Sequence, residues 1–269
     1  PRLGYALRGI VAAEVTITGP DHDLHSGAYG GAVHNPLHLV GQIVGSFHDD
    51  NGRIQIPGYY DSVQTLDDNE KANMETAWEK VGDKIKAGAG TENFWGEALA
   101  SLPERLTALP TLDVNGIWGG YQGPGVKTVI PSQAGFKATM RLVADQNPHE
   151  IGQMFKAYVE SFASDTAAIE VKVLVEAWPF TMEFEGPAIA AVQKMYQAVL
   201  GQEALLTRGG GSVPIGGMFQ HELGLPITSI GLGSGDNVHS PNEYMHADHF
   251  AVAIDLMIHF YYNIAETMG

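Results

Sequence analysis

The 269-residue sequence contains no cysteine, which excludes disulfides, thiolate metal ligands and a cysteine nucleophile, and fits a reducing compartment. Basic residues are scarce: 15 Lys and Arg stand against 31 Asp and Glu, a formal charge of −16. Nucleic acid and anionic membrane are thereby set aside as partners, since either needs a basic surface to displace counterions. No run approaches the roughly 18 apolar residues of a membrane span, and no basic, apolar and small-residue succession of a secretory signal opens the sequence. A small molecule or another protein is left as the partner, and the cytoplasm as the expected location.

With 44% apolar residues, the chain can bury one large core or two modest ones, and its alternation of patterns favours two. β-Branched residues predict a strand over 10–18, and helical spacing of apolar residues predicts a helix over 36–47. The stretch 67–100 turns polar and helical, with a break at Gly88 to Gly90 and with Trp78, Phe94 and Trp95 as packing anchors, and reads as an insertion. Segments 111–118, 134–143 and 169–177 predict three more strands, the last two flanking a helix over 148–163 that opens on Pro148. Four strands with two helices on one face make an α+β sandwich ending near Trp178 and Pro179. Beyond it come a helix over 186–200, a glycine-rich loop, a short helix over 214–221, a short buried strand over 227–231, a loop and a last helix over 250–262. That is half of an α/β layer. The sequence starts at Pro1 without an initiator Met, and the expectation is that it is the trailing part of something longer.

Four constellations carry chemistry. The loop 235–243 is too rich in Gly, Asp, Asn and Pro for a helix or strand, so His239 is aimed there and suggests a metal ligand. Asp21-His22-Asp23-Leu24-His25-Ser26-Gly27 follows the first strand; its imidazoles and carboxylates suit either a metal or a polar substrate contact. In 207–214 the Gly-Lys-Ser/Thr ending of a phosphate loop is missing. Ser212 as N-cap and Pro214 in the first turn would instead aim N–H groups at a carboxylate, or simply make a turn and a capped helix. Alternation along 136–142 puts Lys137, Thr139 and Arg141 on one face, where Arg141 is either a bidentate carboxylate clamp or solvated. His246 and His249 would share a face if helix begins at Tyr244, so a zinc site with His239 is a local alternative.

Taken in order, Leu7-Arg8-Gly9, Asp23-Leu24-His25-Ser26-Gly27 with Gly30-Gly31, 54–61, 127–131, Arg141-Leu142-Val143, 210–215 and 239–243 resemble the zinc-dependent M20 metallopeptidases, most closely their carnosinase-like dipeptidase branch. The resemblance implies a dizinc α/β catalytic domain interrupted by a lid that also dimerises. Residues 8–178 then look like the lid, a four-stranded sheet with helices on one face, and residues 179–269 with 1–7 like the C-terminal part of the catalytic domain. His239 matches the last zinc ligand. His25 matches the lid histidine that reaches into the partner's site to stabilise the oxyanion. Arg141 matches the grip on the terminal carboxylate of a dipeptide or N-acyl amino acid, with Thr128, Gly210, Gly211 and Ser212 as further contacts.

The family's other ligands and its general-base Glu lie upstream of the lid and have no counterpart here, so the chain alone is expected to be inert. Glu176-Ala177-Trp178-Pro179 also departs from the histidine usual in carnosinase-like members. Two rivals stand beside this expectation: a dimerisation or binding module without catalysis, and a mononuclear zinc enzyme using His239, His246 and His249.

Overall fold

The computed structural model describes residues 1–269 except 183–185, 226, 234, 238, 239 and 269. The first half runs β1 (Arg2–Leu7), β2 (Gly9–Thr18), β3 (Leu24–His25), α1 (Ser26–Tyr29), α2 (Pro36–Gly45), α3 (Asp68–Ala89), α4 (Leu102–Thr107), β4 (Thr111–Gly119), β5 (Val129–Ile130) and β6 (Gln133–Leu142). It continues as α5 (Pro148–Glu160), β7 (Ala168–Ala177), β8 (Phe180–Thr181), α6 (Pro187–Leu200), β9 (Leu205–Gly209), α7 (Pro214–Leu223), β10 (Gly235–Asp236), β11 (Tyr244–Met245) and α8 (Ala247–Met268).

The expected four-stranded sheet forms, antiparallel throughout, in the order β4-β6-β2-β7. Strict alternation along β2 buries Val11, Ala13, Val15 and Ile17 and leaves the intervening side chains half-buried, so one face alone can carry a core. Leu39, Val40 and Ile43 of α2 and Ile151, Phe155 and Val159 of α5 cover that face. Both helices start on an Asn-Pro pair: Asn35 accepts from the Leu37 amide and Asn147 from the His149 amide, while Pro36 and Pro148 occupy the first turn, where a missing N–H costs nothing. Phe47 sits at the centre, its ring 5.8 Å from those of both Phe136 and Phe155.

A second cluster gathers Leu3, Tyr5, Ala6, Phe180, Ile189, Val192, Met195, Tyr196 and Leu256. Its sheet, β8-β1-β9, pairs β1 parallel to β9 and antiparallel to β8. Neither β1 nor β9 is expected from the sequence, because Gly4, Thr207, Arg208 and Gly209 break the apolar patterns. Conversely, the strand expected over 227–231 is only a single bridge, Leu3 to Ile230. The apolar run there packs partly buried against the cluster without extending a ladder.

The stretch expected as an insertion is tied to this second layer. α3 begins at Asp67, which accepts from the Glu70 amide, and ends at Gly90 with φ 66, a conformation glycine adopts without strain. Asn73 Nδ2 donates to the Leu206 carbonyl at 3.1 Å, and Tyr5 Oη donates to Glu70 at 3.0 Å. Arg208 closes an ion pair with Glu70. Trp95, expected as an anchor, is exposed, its ring meeting that of His48 in a T-shaped contact with centroids 5.1 Å apart.

Candidate functional site

The candidate residues fall into two groups at opposite ends of the β2–β6 ladder. Its ten paired positions run without a bulge from Gly9 opposite Leu142 to Thr18 opposite Gln133. Thr18 lies eight residue steps along β2 from Ile10, which faces Arg141, roughly 27 Å at a strand's rise per residue.

His25 lies beyond the Thr18 end. Leu24 and His25 pair with Ile130 and Val129, and the Ser26 amide donates to the Thr128 carbonyl at 3.0 Å. His25 caps α1: its Nδ1 accepts from the Gly27 amide at 2.9 Å. An accepting Nδ1 leaves the neutral ring's proton on Nε2, and Nε2 is 3.4 Å from Thr128 Oγ1. A Cβ on Gly27 would stand 2.7 Å from the His25 ring, so only glycine permits this cap. Thr128 therefore accompanies His25, whereas the resemblance groups it with Arg141.

Asp23, a candidate metal ligand by residue type, instead tethers this ribbon. Its Oδ1 accepts from the Ser132 amide at 2.8 Å and the Ser132 hydroxyl at 3.1 Å. These bonds, the amide first, hold its carboxyl below the usual range. His22 contacts Asp21. Among the described residues no three His, Asp or Glu side chains could hold a metal ion. We expect Asp23→Ala to raise amide exchange at Leu24 and Gly27 several-fold at neutral pH. A group whose pKa is depressed by folding contributes stability above its unfolded pKa and loses it as pH falls through the folded one. The unmodified chain should accordingly show the same loosening on acidification below the ordinary carboxylate range, and equal exchange in both chains at neutral pH would refute the tether.

Arg141 lies at the other end. Its Nη1 donates to Ser212 Oγ at 2.7 Å, and that hydroxyl donates to the Gly9 carbonyl at 3.1 Å. Ser212 is so committed that it does not cap α7: the N-cap is Val213, with no side-chain bond. Arg8 fastens the preceding residues, its amide donating to the Gly211 carbonyl at 3.1 Å and its Nε to that of Gly210 at 2.8 Å. Arg141, Gly210, Gly211 and Ser212 are thus brought together. Beside them opens a cavity of about 600 Å³ whose lining includes Arg8, Trp95, Asp113, Thr139 and Arg141. Burial, and then the charge of Arg141, push the Arg8 guanidinium down to about 10 against the opposing pull of Asp113. Arg8 is the residue that reasoning by type overlooks, although a cation between Leu7 and Gly9 ahead of a buried strand is a signal for it.

His239 lies outside the described residues. His246 and His249 approach with ring centroids 5.2 Å apart, but α8 begins at Ala247 rather than Tyr244, which belongs to the β10–β11 ribbon.

The peptidase dimerisation domain of the M20 peptidases matches residues 5–167. The chain is 27% identical to the human Beta-Ala-His dipeptidase, covering 99% of this chain and 53% of that protein. It is 29% identical to the Cys-Gly metallodipeptidase DUG1 of Saccharomyces cerevisiae, covering 96% and 54%. Among solved structures, an M20 metallo-carboxypeptidase of Sulfolobus solfataricus superposes with a TM-score of 0.84 at 26% identity, over 97% of this chain and 59% of the other. Human carnosine dipeptidase 1 superposes with 0.76 at 25% identity, over 99% and 57%. The chain spans about half the length of the curated relatives it matches.

Proposed function

The chain belongs to the M20 peptidases, and from that premise we propose that a longer parent protein containing it hydrolyses the amide bond of dipeptides or related N-acyl amino acids in the cytoplasm, as a homodimer. In this reading residues 8–178 are the lid and dimerisation domain, and residues 179–269 with 1–7 are the C-terminal part of the catalytic domain. The separate packing of Leu3, Tyr5 and Ala6 with the second cluster supports that division.

The observation that carries the proposal is the separation of the two groups. A dipeptide spans about 7 Å, so His25 and Arg141 of one chain cannot hold the same molecule, whereas the His25 of a second copy can. Arg141 then grips the terminal carboxylate in a bidentate pair, while the Gly210–Ser212 segment orients it. His25 of the partner copy, its proton fixed on Nε2 by the Gly27 amide, donates to the carbonyl oxygen as charge develops there.

The described residues do not fit a metal centre, there being no three ligands together among them. The two zinc ions proposed for the parent accordingly draw chiefly on residues upstream, with His239 as this chain's one ligand, and the chain alone is proposed to be inert. The match to a dimerisation domain favours one second reading, a dimerisation module without catalysis.

Zinc stoichiometry tests the proposal. After stripping, reloading and desalting, we expect near-zero zinc per chain and no dipeptide hydrolysis, with His239→Ala unchanged. One zinc per chain that is lost on His239→Ala would overturn it in favour of a local site with His246 and His249. A parent carrying the upstream half that binds zinc yet hydrolyses neither dipeptides nor N-acyl amino acids would favour the dimerisation module.

A further inference from the structure

We infer that Arg8 is a second guanidinium of the carboxylate site, acting beside Arg141 on one anionic group of the ligand. The inference rests on the proposed carboxylate role of Arg141 and adds a residue to it. Both side chains line the same cavity, and the two residues hold three consecutive ones: the Arg8 guanidinium bonds the Gly210 carbonyl and its backbone amide that of Gly211, while the Arg141 guanidinium bonds the Ser212 hydroxyl.

Charge balance supports it. Among the described residues, Arg53 pairs with Glu97 and Arg208 with Glu70, while neither Arg8 nor Arg141 forms an ion pair. Of the carboxylates lining the cavity, Glu97 is taken by Arg53 and the Tyr60 hydroxyl, and Asp113 accepts from the Thr111 hydroxyl at 2.9 Å. Asp113 pulls on Arg8 but forms no ion pair with it, and two partly buried like charges against one carboxylate leave a net positive charge that an external anion would balance. The N–H groups are there to receive it. Arg8 spends Nε and Nη1 on the carbonyls of Gly210 and Leu109, which leaves Nη2, and Arg141 spends only Nη1.

A residue that merely fastens the loop would use the same two carbonyl bonds, so the test must read the anion. The chain has six arginines, whose Nε–Hε signals can be resolved and assigned through bonds in the isotopically labelled full chain. It is titrated with N-acetylglycine, and with N-acetylglycinamide as the control that lacks the carboxylate. The Arg8 and Arg141 signals are expected to move together along one saturation curve with the acid and to stay still with the amide. Arg8→Lys, folded by its amide spectrum, is expected to bind the acid about tenfold more weakly, because the fork is lost while the charge is kept. Movement of Arg141 alone, with unchanged affinity in Arg8→Lys, would overturn the inference and leave the carboxylate reading standing. No movement of either would overturn both.

Discussion

Two impaired forms of the parent, His25→Ala and Arg141→Met, are expected to regain activity when their subunits are mixed. Each should be weak alone for a different reason. Loss of an oxyanion donor acts in the transition state and is expected to lower kcat about 10²- to 10³-fold with little change in KM. Loss of the carboxylate grip, a charge-assisted bond of about 1.5–3 kcal/mol, should chiefly raise KM. Because the two residues stand at opposite ends of the β2–β6 ladder, a mixed dimer has one site lacking both and one site lacking neither. With random exchange half the dimers are mixed, so roughly a quarter of the unmodified activity should return at low substrate. Dipeptidase assay of co-refolded subunits, with differently tagged subunits to count mixed dimers, checks this. Mixed dimers that form but remain as weak as their parents would show that the two residues do not serve one site across the dimer.

Glu70→Ala is expected to cost about 3–5 kcal/mol of stability, the usual consequence of stranding one member of a buried ion pair. The Arg208 side chain is 7% exposed and that of Glu70 18%, and Arg208 Nε already lacks a hydrogen-bond partner. The Tyr5 ring beneath the guanidinium, 5.6 Å from it, offers only a weak substitute. Removing both charges should behave differently. Glu70→Leu with Arg208→Met takes away the desolvation cost together with the attraction, and is expected to recover most of the loss. Denaturant midpoints of the three chains decide the matter. A single substitution costing under about 1 kcal/mol would mean the pair is effectively solvated.

The parts of the fold that sequence makes legible are those where one face is buried and the other is not. Val11 to Ile17 and Phe136 to Leu142 alternate because each strand has a single covered face, and Asn35-Pro36 and Asn147-Pro148 mark helix starts by their own chemistry. β1 and β9 stay hidden because Gly4 and Arg208 carry no apolar period; their parallel pairing is set by layers arriving about 200 residues apart in the chain. Apolar content reports burial, not hydrogen bonding, which is why 227–231 gives a bridge where a strand is expected. At the site, the contacts that join Arg8 and Arg141 to Gly210, Gly211 and Ser212 link residues far apart in the chain. That Thr128 lies beside His25 is not legible because the pairing of Leu24 with Ile130 leaves no local trace, and an Asp that tethers a ribbon has the same residue type as one that binds metal.

The unbroken ladder between Gly9 and Thr18 also acts as a ruler. Inserting one residue into β2 would turn outward the buried side chains on one side of the insertion, so a length change that keeps both faces adds or removes two residues, with β6 and β7 changing to match. The spacing of the two half-sites is therefore quantised at roughly 7 Å per step. Adaptation to longer or shorter ligands is consequently confined to the loops at either end.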